Sequence, residues 1–155
     1  EMQRSLVGSE MCIRDRDTHG KLRWQADEAD GHPLLCIVSE EVPEAYLETL
    51  RQQGISWIAA GKGRIDLPKA MEALSEHFGV KRLAIVGGGH ICGGFLEAGL
   101  IDEVSIMVAP GIDGRKGQTA VFDGIADTGC NPFRLKLESV EQWPTDIVWL
   151  RYKMK

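Results

Sequence analysis

The sequence predicts an α/β protein that combines parallel strands with a C-terminal antiparallel hairpin. Between Pro33 and Gly99, short apolar runs alternate with stretches whose apolar residues recur at helical spacing. Alternating strands and helices form parallel sheets with helices packed on their faces. In residues 133–140 and 146–153, apolar and polar residues alternate strictly, which is typical of half-exposed antiparallel strands. The expected architecture has three layers, α/β/α, around a mixed sheet.

Three strand–helix units are predicted in the first part of this region. The strands are the apolar runs, at residues 33–38, 55–60 and 82–86. Each following helix is expected to end at a glycine, namely Gly54, Gly79 and Gly99. The apolar face of the first helix contains Pro43, Tyr46, Leu47 and Leu50, and that of the third contains Ile91, Cys92, Phe95 and Leu96. Asp66 is placed to begin the second helix.

The C-terminal part is predicted to be all-β. Residues 104–109 form a further apolar strand, and residues 110–118 form a glycine-rich loop. Residues 133–140 and 146–153 both alternate between apolar and polar side chains, and the turn sequence Trp143-Pro144-Thr145 separates them. These two segments are therefore expected to pair as an antiparallel hairpin.

Residues 1–16 are expected to stand outside this domain. They show no helical or alternating periodicity and contain no signal-peptide core. Residues 7–16 look like translated sequencing-adapter sequence, and a disordered native tail is the alternative. The predicted domain therefore covers residues 17–155, and its N-terminal part is expected to be missing.

Composition narrows the class of protein. The 155 residues are 43% hydrophobic and carry a net charge of −5, which suits one globular domain without a nucleic-acid partner. No apolar run approaches the roughly 20 residues that span a bilayer, so no membrane partner is expected. Four scattered cysteines without a Cys-x-x-Cys pair predict reduced thiols in a cytoplasmic protein. The histidines have no metal-ligand spacing, so no metal site is predicted.

The third strand leads into a glycine-rich stretch that predicts an anion-binding loop. Five glycines lie between Val86 and Phe95, immediately before and within the start of a helix. Glycines leave peptide N–H groups uncovered, and a helix N-terminus carries partial positive charge, so a phosphate is the expected ligand. Walker spacing fails because Gly94 and Phe95 follow Gly93, and Rossmann spacing fails because Cys92 occupies the third glycine position. Tight strand–helix packing is the alternative explanation.

The stretch Leu-Ala-Ile-Val-Gly-Gly-Gly-His-Ile-Cys-Gly-Gly-Phe-Leu-Glu-Ala-Gly-Leu-Ile-Asp-Glu-Val, at residues 83–104, continues to Ala109-Pro110. It resembles the signature of the riboflavin-biosynthesis reductase domain, the C-terminal domain of the bifunctional deaminase-reductase. The resemblance runs from about Asp17 to the C-terminus. It implies a dihydrofolate-reductase-like fold, a homodimer, and NADPH-dependent reduction of a ribosylamino-pyrimidine phosphate to its ribityl form.

The resemblance also implies which residues form the site. The stretch along the cofactor corresponds to Gly88, Gly89, His90, Ile91, Cys92, Gly93 and Gly94. Thr18 matches a Ser/Thr that also contacts the cofactor. Val86 stands where the family has a Glu that holds the substrate, and a valine accepts no hydrogen bond. A different pyrimidine or pterin-like substrate, or a non-catalytic nucleotide-binding or dimerisation module, therefore stays open.

Four positions have both a functional and a structural explanation. Lys62 and Arg64 follow the second strand and could bind the 2′-phosphate of NADPH, or could be solvated loop charges. His90 could donate to a phosphate or lie on the surface at a helix start. Cys92 is expected to be a small buried residue rather than a nucleophile. No catalytic acid or base is assigned, because hydride transfer is the chemistry of the cofactor.

Overall fold

The computed structural model describes residues 10–12, 16–24, 28–29, 32–118, 120–126 and 132–155. They belong to two compact units, Glu1–Val86 (the first unit) and Gly87–Lys155 (the second unit). Residues 1–9 and 13–15 of the predicted leader lie outside the described residues. None of the helices in the described part of the chain combines the length and apolar character that crossing a membrane requires.

The first unit is built from short parallel strands and two helices. Its strands are β1 (Glu10–Cys12), β2 (Arg16–Asp17), β3 (Glu28–Ala29), β4 (His32–Pro33), β5 (Leu35–Val38), β6 (Ser56–Ala59) and β7 (Arg82–Ala84). Helix α1 (Glu44–Gln52) connects β5 to β6, and α2 (Leu67–Phe78) connects β6 to β7. β5 lies between β2 and β6 in a parallel sheet, and β1 pairs in parallel with β7. β3 and β4 form a small antiparallel pair.

Strand β1 falls within the predicted leader. Glu10, Met11 and Cys12 align with Arg82, Leu83 and Ala84 of β7. A three-residue strand is too short to show an alternating pattern, so the sequence contains no signal for it. The non-native origin of residues 1–16 stays a prediction.

The core of the first unit forms around β5. All four residues of β5 are buried, as its continuous apolar run predicts. Helix α1 packs Tyr46 and Leu50 onto this strand, because residues four apart share one helix face. Leu50 is fully buried, and burying a leucine side chain contributes about 2 kcal/mol to folding. Trp24 packs against the same cluster and donates from Nε1 to the Tyr46 hydroxyl at 3.1 Å.

The ends of α2 follow from its sequence. The Asp66 carboxylate accepts a hydrogen bond from the Lys69 N–H at 3.1 Å, which caps the first turn. Gly79 ends the helix in a left-handed conformation with φ of 65°, which favours glycine. Both predicted boundaries are confirmed.

Asp17, at the end of β2, is a buried carboxylate that organises the turn after it. Its Oδ1 and Oδ2 accept hydrogen bonds from the backbone N–H groups of Lys21 at 2.9 Å and Leu22 at 2.7 Å. Burial raises the pKa of the Asp17 carboxyl, but these bonds and one from the Tyr46 hydroxyl outweigh burial and leave the pKa below its ordinary value. Asp17 therefore binds the turn in its ionised form.

We expect Asp17→Ala to lower the free energy of unfolding by about 2 kcal/mol at neutral pH, because part-buried N–H donors lose their charged acceptor. A folded-state pKa below the unfolded value of about 3.9 means that this contribution is complete above that pH and is lost as the pH falls. Urea unfolding at pH 7 and at pH 3 measures both effects, with Asp17→Asn as the uncharged control. Equal stability of parent and Asp17→Ala at pH 7 would contradict the assignment.

The second unit contains one helix and an antiparallel sheet. Its elements are α3 (Gly89–Glu97), β8 (Glu103–Val108), β9 (Leu135–Gln142) and β10 (Val148–Met154). β10 lies between β8 and β9 and is antiparallel to both. The β9–β10 turn is closed by a hydrogen bond from the Trp143 N–H to the Ile147 carbonyl at 2.9 Å. The predicted C-terminal hairpin is confirmed, as is the exposed loop at residues 110–118.

The two faces of this sheet differ in chemistry. Residues paired across antiparallel strands share a face, so Leu150 lies beside Ile106 and Val140. The face that we call the apolar face contains Val104, Ile106, Val108, Leu137, Val140, Val148, Leu150 and Tyr152. On the opposite face, the Trp149 Nε1 donates to the Ser105 Oγ at 2.8 Å. Val108 and Val140 on the apolar face remain about half exposed, at 50% and 56%.

Candidate functional site

The predicted anion loop is a bare turn that leads directly into α3. Gly87 has φ of 111°, a left-handed value that favours glycine, and the Gly87–Gly88 peptide bond is cis. Gly88 precedes the helix, and its carbonyl accepts hydrogen bonds from the N–H groups of Ile91 at 2.9 Å and Cys92 at 3.1 Å. The first N–H groups of a helix have no acceptor within the helix. The turn therefore presents donors at the positive end of α3.

The backbone at Gly87 and Gly88 is accessible. No described heavy atom lies within 4 Å of the place where a Cβ would stand on either residue. Gly88 has φ of −70°, which any residue adopts, so its conformation does not require glycine. Close approach of a ligand to the backbone is what a glycine at position 88 permits and a larger residue would prevent.

Gly89 and Gly93 have a different environment. A Cβ on Gly89 would lie 2.3 Å from the Ala120 carbonyl oxygen, and one on Gly93 would lie 1.9 Å from the Asp123 carbonyl oxygen. These glycines are one helical turn apart and therefore share a face of α3. Residues 120–124, which we call the strap, lie along that face. Packing thus explains these two glycines, and their contact with a cofactor stays a prediction.

His90 and Asp123 form the polar part of the contact between α3 and the strap. The His90 imidazole is 74% exposed, and its Nδ1 lies 3.8 Å from the Asp123 Oδ2. The Asp123 Oδ1 accepts a hydrogen bond from the Gly124 N–H at 2.7 Å. His90 lies on the surface at the helix start, while its role as a phosphate donor stays a prediction, and the structure adds a carboxylate neighbour that the sequence did not indicate.

The remaining loop residues are less exposed than His90. Cys92 is a buried free thiol, 8% exposed, as its assignment to the core predicts. Gly94 is half-buried, and so is Ile91, which was expected on the buried face. Among the residues that the structure describes, no group of three or more His, Cys, Asp or Glu side chains could hold a metal ion.

Thr18 and Val86 belong to the first unit. Thr18 is half-buried in the turn fixed by Asp17, where the Gly20 N–H donates to the Asp17 carbonyl at 3.3 Å. Val86 is the last residue of the unit and is 83% exposed, so its side chain contributes little to the core. Their roles in binding stay predictions.

Lys62 and Arg64 lie on an exposed loop after β6, at the carboxyl end of the parallel strands. Ligands of open α/β sheets bind at this edge. The loop is attached to the segment that follows β5, because the Glu40 N–H donates to the Gly61 carbonyl at 2.8 Å. The Glu40 carboxylate forms an ion pair with Lys69, which lowers the pKa of Glu40 below its ordinary value. The loop is therefore held against the segment that contains Glu40, and its Lys62 and Arg64 residues are exposed.

The strap is the part of the site that the sequence did not predict. Its only local signal is Asp123-Gly124, a dipeptide typical of turns. Gly124 indeed has φ of 80°. The dipeptide indicates a turn but gives no sign that the turn packs against the start of α3.

Comparisons with known proteins agree with this fold. The family model described as RibD C-terminal domain matches residues 1–149. The chain is 31% identical over 127 residues to the 2,5-diamino-6-ribosylamino-4(3H)-pyrimidinone 5′-phosphate reductase of Methanothermobacter thermautotrophicus, covering 81% of this chain and 57% of that protein. The reductase of the same name from Archaeoglobus fulgidus is 30% identical over 91 residues, covering 58% and 40%.

Solved structures show the same fold at low sequence identity. A pyrimidine reductase-like protein from Corynebacterium diphtheriae has a TM-score of 0.73 at 21% identity, covering 90% of this chain and 59% of that one. RibD from Acinetobacter baumannii has a TM-score of 0.71 at 22% identity, covering 90% and 36%. The chain thus spans 57% of the Methanothermobacter thermautotrophicus reductase and 59% of the Corynebacterium diphtheriae protein, and less than half the length of the other two. Because the family model matches residues 1–149, the chain belongs to the family of RibD C-terminal domains.

Proposed function

We propose that this chain is the reductase domain of an NADPH-dependent enzyme that reduces the ribosylamino group of a pyrimidine phosphate to a ribitylamino group. Its family and the names of its relatives support this substrate class. The observation that carries the proposal is the open Gly87–Gly88 turn at the N-terminus of α3. That turn offers uncovered backbone donors to a phosphate.

The residues around this turn fit a dinucleotide cofactor. A pyrophosphate needs N–H donors and space near the backbone, and the first turn of α3 and Gly88 provide both. The proposed cofactor-binding residues are Thr18, Gly88, Gly89, His90, Ile91, Cys92, Gly93 and Gly94. Lys62 and Arg64 are proposed to bind the 2′-phosphate through charge-assisted hydrogen bonds. This phosphate distinguishes NADPH from NADH.

Bound NADPH would supply a hydride, which forms a C–H bond at the anomeric carbon of the ribosyl group while the bond from that carbon to the ring oxygen breaks. The ring oxygen takes a proton, so the products are the ribitylamino compound and NADP⁺. The chain itself holds the reactants in contact and limits access of water. We assign no acid or base, because no described side chain is tied to the reacting atoms.

Val86 favours a second candidate function. At the position expected to hold the substrate, its exposed side chain offers no hydrogen-bond acceptor. A dihydrofolate-reductase-like enzyme for another pyrimidine or a pterin-like substrate would need no carboxylate here, and neither would a non-catalytic nucleotide-binding or dimerisation module. NADPH oxidation with a ribosylaminopyrimidine 5′-phosphate supports the enzyme, whereas NADPH binding without oxidation supports the module.

We also propose that the protein works in the cytoplasm as a homodimer. The apolar face of the β8–β10–β9 sheet supports this, because half-exposed Val108, Leu137 and Val140 lie together on it. Light scattering would then give twice the 17.1 kDa mass of the chain.

Fluorescence titration of the 155-residue chain tests the cofactor. We expect NADPH to bind at least about tenfold more tightly than NADH, because one charge-assisted contact to the 2′-phosphate is worth more than 1.4 kcal/mol. Lys62→Ala and Arg64→Ala should weaken the binding of NADPH without changing the affinity for NADH. No binding of either nucleotide to a chain shown by circular dichroism to be folded would overturn the proposed function.

A further inference from the structure

The strap controls the orientation of one peptide group in the first turn of α3. The Asp123 N–H donates to the Gly89 carbonyl oxygen at 3.0 Å. That carbonyl belongs to the same planar peptide unit as the His90 N–H, and in a trans peptide the two groups point in opposite directions. Holding the Gly89 oxygen toward the strap therefore keeps the His90 N–H directed toward the start of the helix.

Close packing reinforces this hydrogen bond. The missing side chains of Gly89 and Gly93 let the Ala120 and Asp123 carbonyls reach the helix surface. On the other side of the contact, a Cβ on Gly124 would lie 2.7 Å from the His90 Cδ2. Each side of the contact thus has a glycine where the other side approaches it closely, which leaves little freedom for the strap to shift along α3.

The Asp123 carboxylate stabilises the turn that makes this contact. Its Oδ1 accepts from the Gly124 N–H at 2.7 Å, and its Oδ2 faces the His90 Nδ1 at 3.8 Å. The first bond holds the strap in its bent form, which places the Asp123 N–H against Gly89. The second pair of atoms, at 3.8 Å, is too far apart for a hydrogen bond and places the carboxylate beside the exposed imidazole ring.

We infer that Asp123 is a positioning residue for the phosphate-binding turn: through the strap it holds the first peptide of α3 in the orientation that an anionic ligand needs. This inference rests on the proposed function, since it adds a residue to the proposed NADPH site. Asp123 acts through Gly89 and His90 and makes no contact with the ligand. Gly93 serves the same purpose by admitting the Asp123 carbonyl.

The test compares four variants of the 155-residue chain. Asp123→Ala removes the carboxylate, Asp123→Asn keeps an oxygen acceptor without charge, and Gly93→Ala forces the strap away from the helix. Val104→Ala, at a buried position of β8 outside residues 120–124, is the control for a general loss of stability. NADPH affinity is measured by fluorescence titration, and amide hydrogen exchange of residues 89–93 is measured by mass spectrometry, both well below the unfolding temperature.

We expect Asp123→Ala and Gly93→Ala to weaken NADPH binding about tenfold, which corresponds to the loss of roughly one hydrogen bond to an anion. Both variants should also show faster amide hydrogen exchange in residues 89–93. Asp123→Asn should retain most of the affinity, and Val104→Ala should change neither measurement.

Three results would overturn the inference. One is parent-like affinity and exchange in Asp123→Ala and Gly93→Ala. Another is an equal effect of Val104→Ala. The third is tighter binding in both Asp123 variants, which would show that the carboxylate opposes the anion. Failure of the parent chain to bind NADPH would instead overturn the proposed function. Amide hydrogen exchange in residues 89–93 would still show whether the strap stabilises the start of α3.

Discussion

Replacing Gly88 by Val is expected to weaken NADPH binding about 100-fold, because a branched side chain keeps the pyrophosphate from its charge-assisted N–H donors. The unfolding temperature should change little. The space around Gly88 is open, and its φ of −70° is available to every residue. Titration with NADPH and thermal unfolding of the same sample measure the two effects.

Gly89→Val is the matched control for this prediction. It introduces the same side chain at the next residue, but there a Cβ would lie 2.3 Å from the Ala120 carbonyl oxygen. Because backbone must move, we expect a loss of stability of about 1–3 kcal/mol. If Gly88→Val binds NADPH as tightly as the parent chain, the turn is not the phosphate site. If Gly89→Val leaves stability unchanged, the strap does not lie where the structure has it.

Val86→Glu is expected to raise kcat/KM for a ribosylaminopyrimidine 5′-phosphate by about 100-fold, because it provides an acceptor for donors that the substrate would otherwise leave unpaired. Folding should tolerate the change, since Val86 is 83% exposed. Steady-state NADPH oxidation measures the gain.

Two further substitutions separate hydrogen bonding from shape at this position. Val86→Gln supplies a neutral acceptor and should give part of the gain, whereas Val86→Leu should give none. A kcat/KM that is the same for all four residues would show that position 86 does not meet the substrate. A gain with Val86→Leu would show that bulk, rather than hydrogen bonding, is what the site lacks.

Local signals account for most of the fold. Asp66 and Gly79 mark both ends of α2 because capping depends on neighbouring backbone groups alone. The alternating residues of β9 and β10 predict their pairing because the turn between them is short. The position of the glycine turn before α3 was likewise predicted, because runs of glycine mark turns, whereas its anion-binding chemistry stays a prediction.

The strap was not visible because its contacts are distant in sequence. Gly89 contacts Ala120 and Gly93 contacts Asp123, each about 30 residues away in the sequence. A glycine in a sequence indicates that another group can approach the backbone closely, but it does not identify that group. The sequence pattern left a ligand and close packing open as explanations for the glycines, and Gly89 and Gly93 pack against residues 120–123. The burial of the Asp17 carboxylate was not predicted for a related reason: its partners are the backbone N–H groups of Lys21 and Leu22, which no residue type identifies.

The different surroundings of Gly88 and Gly93 also determine which substitutions this domain can accept during evolution. A larger residue at position 88 meets open space, so a gene duplicate can lose the proposed nucleotide site there and still fold. A larger residue at position 93 meets the Asp123 carbonyl, so selection for a folded chain alone retains that glycine. Among descendants of this protein, Gly93 should be conserved wherever the domain still folds, whereas Gly88 should be conserved only where the proposed nucleotide binding is retained.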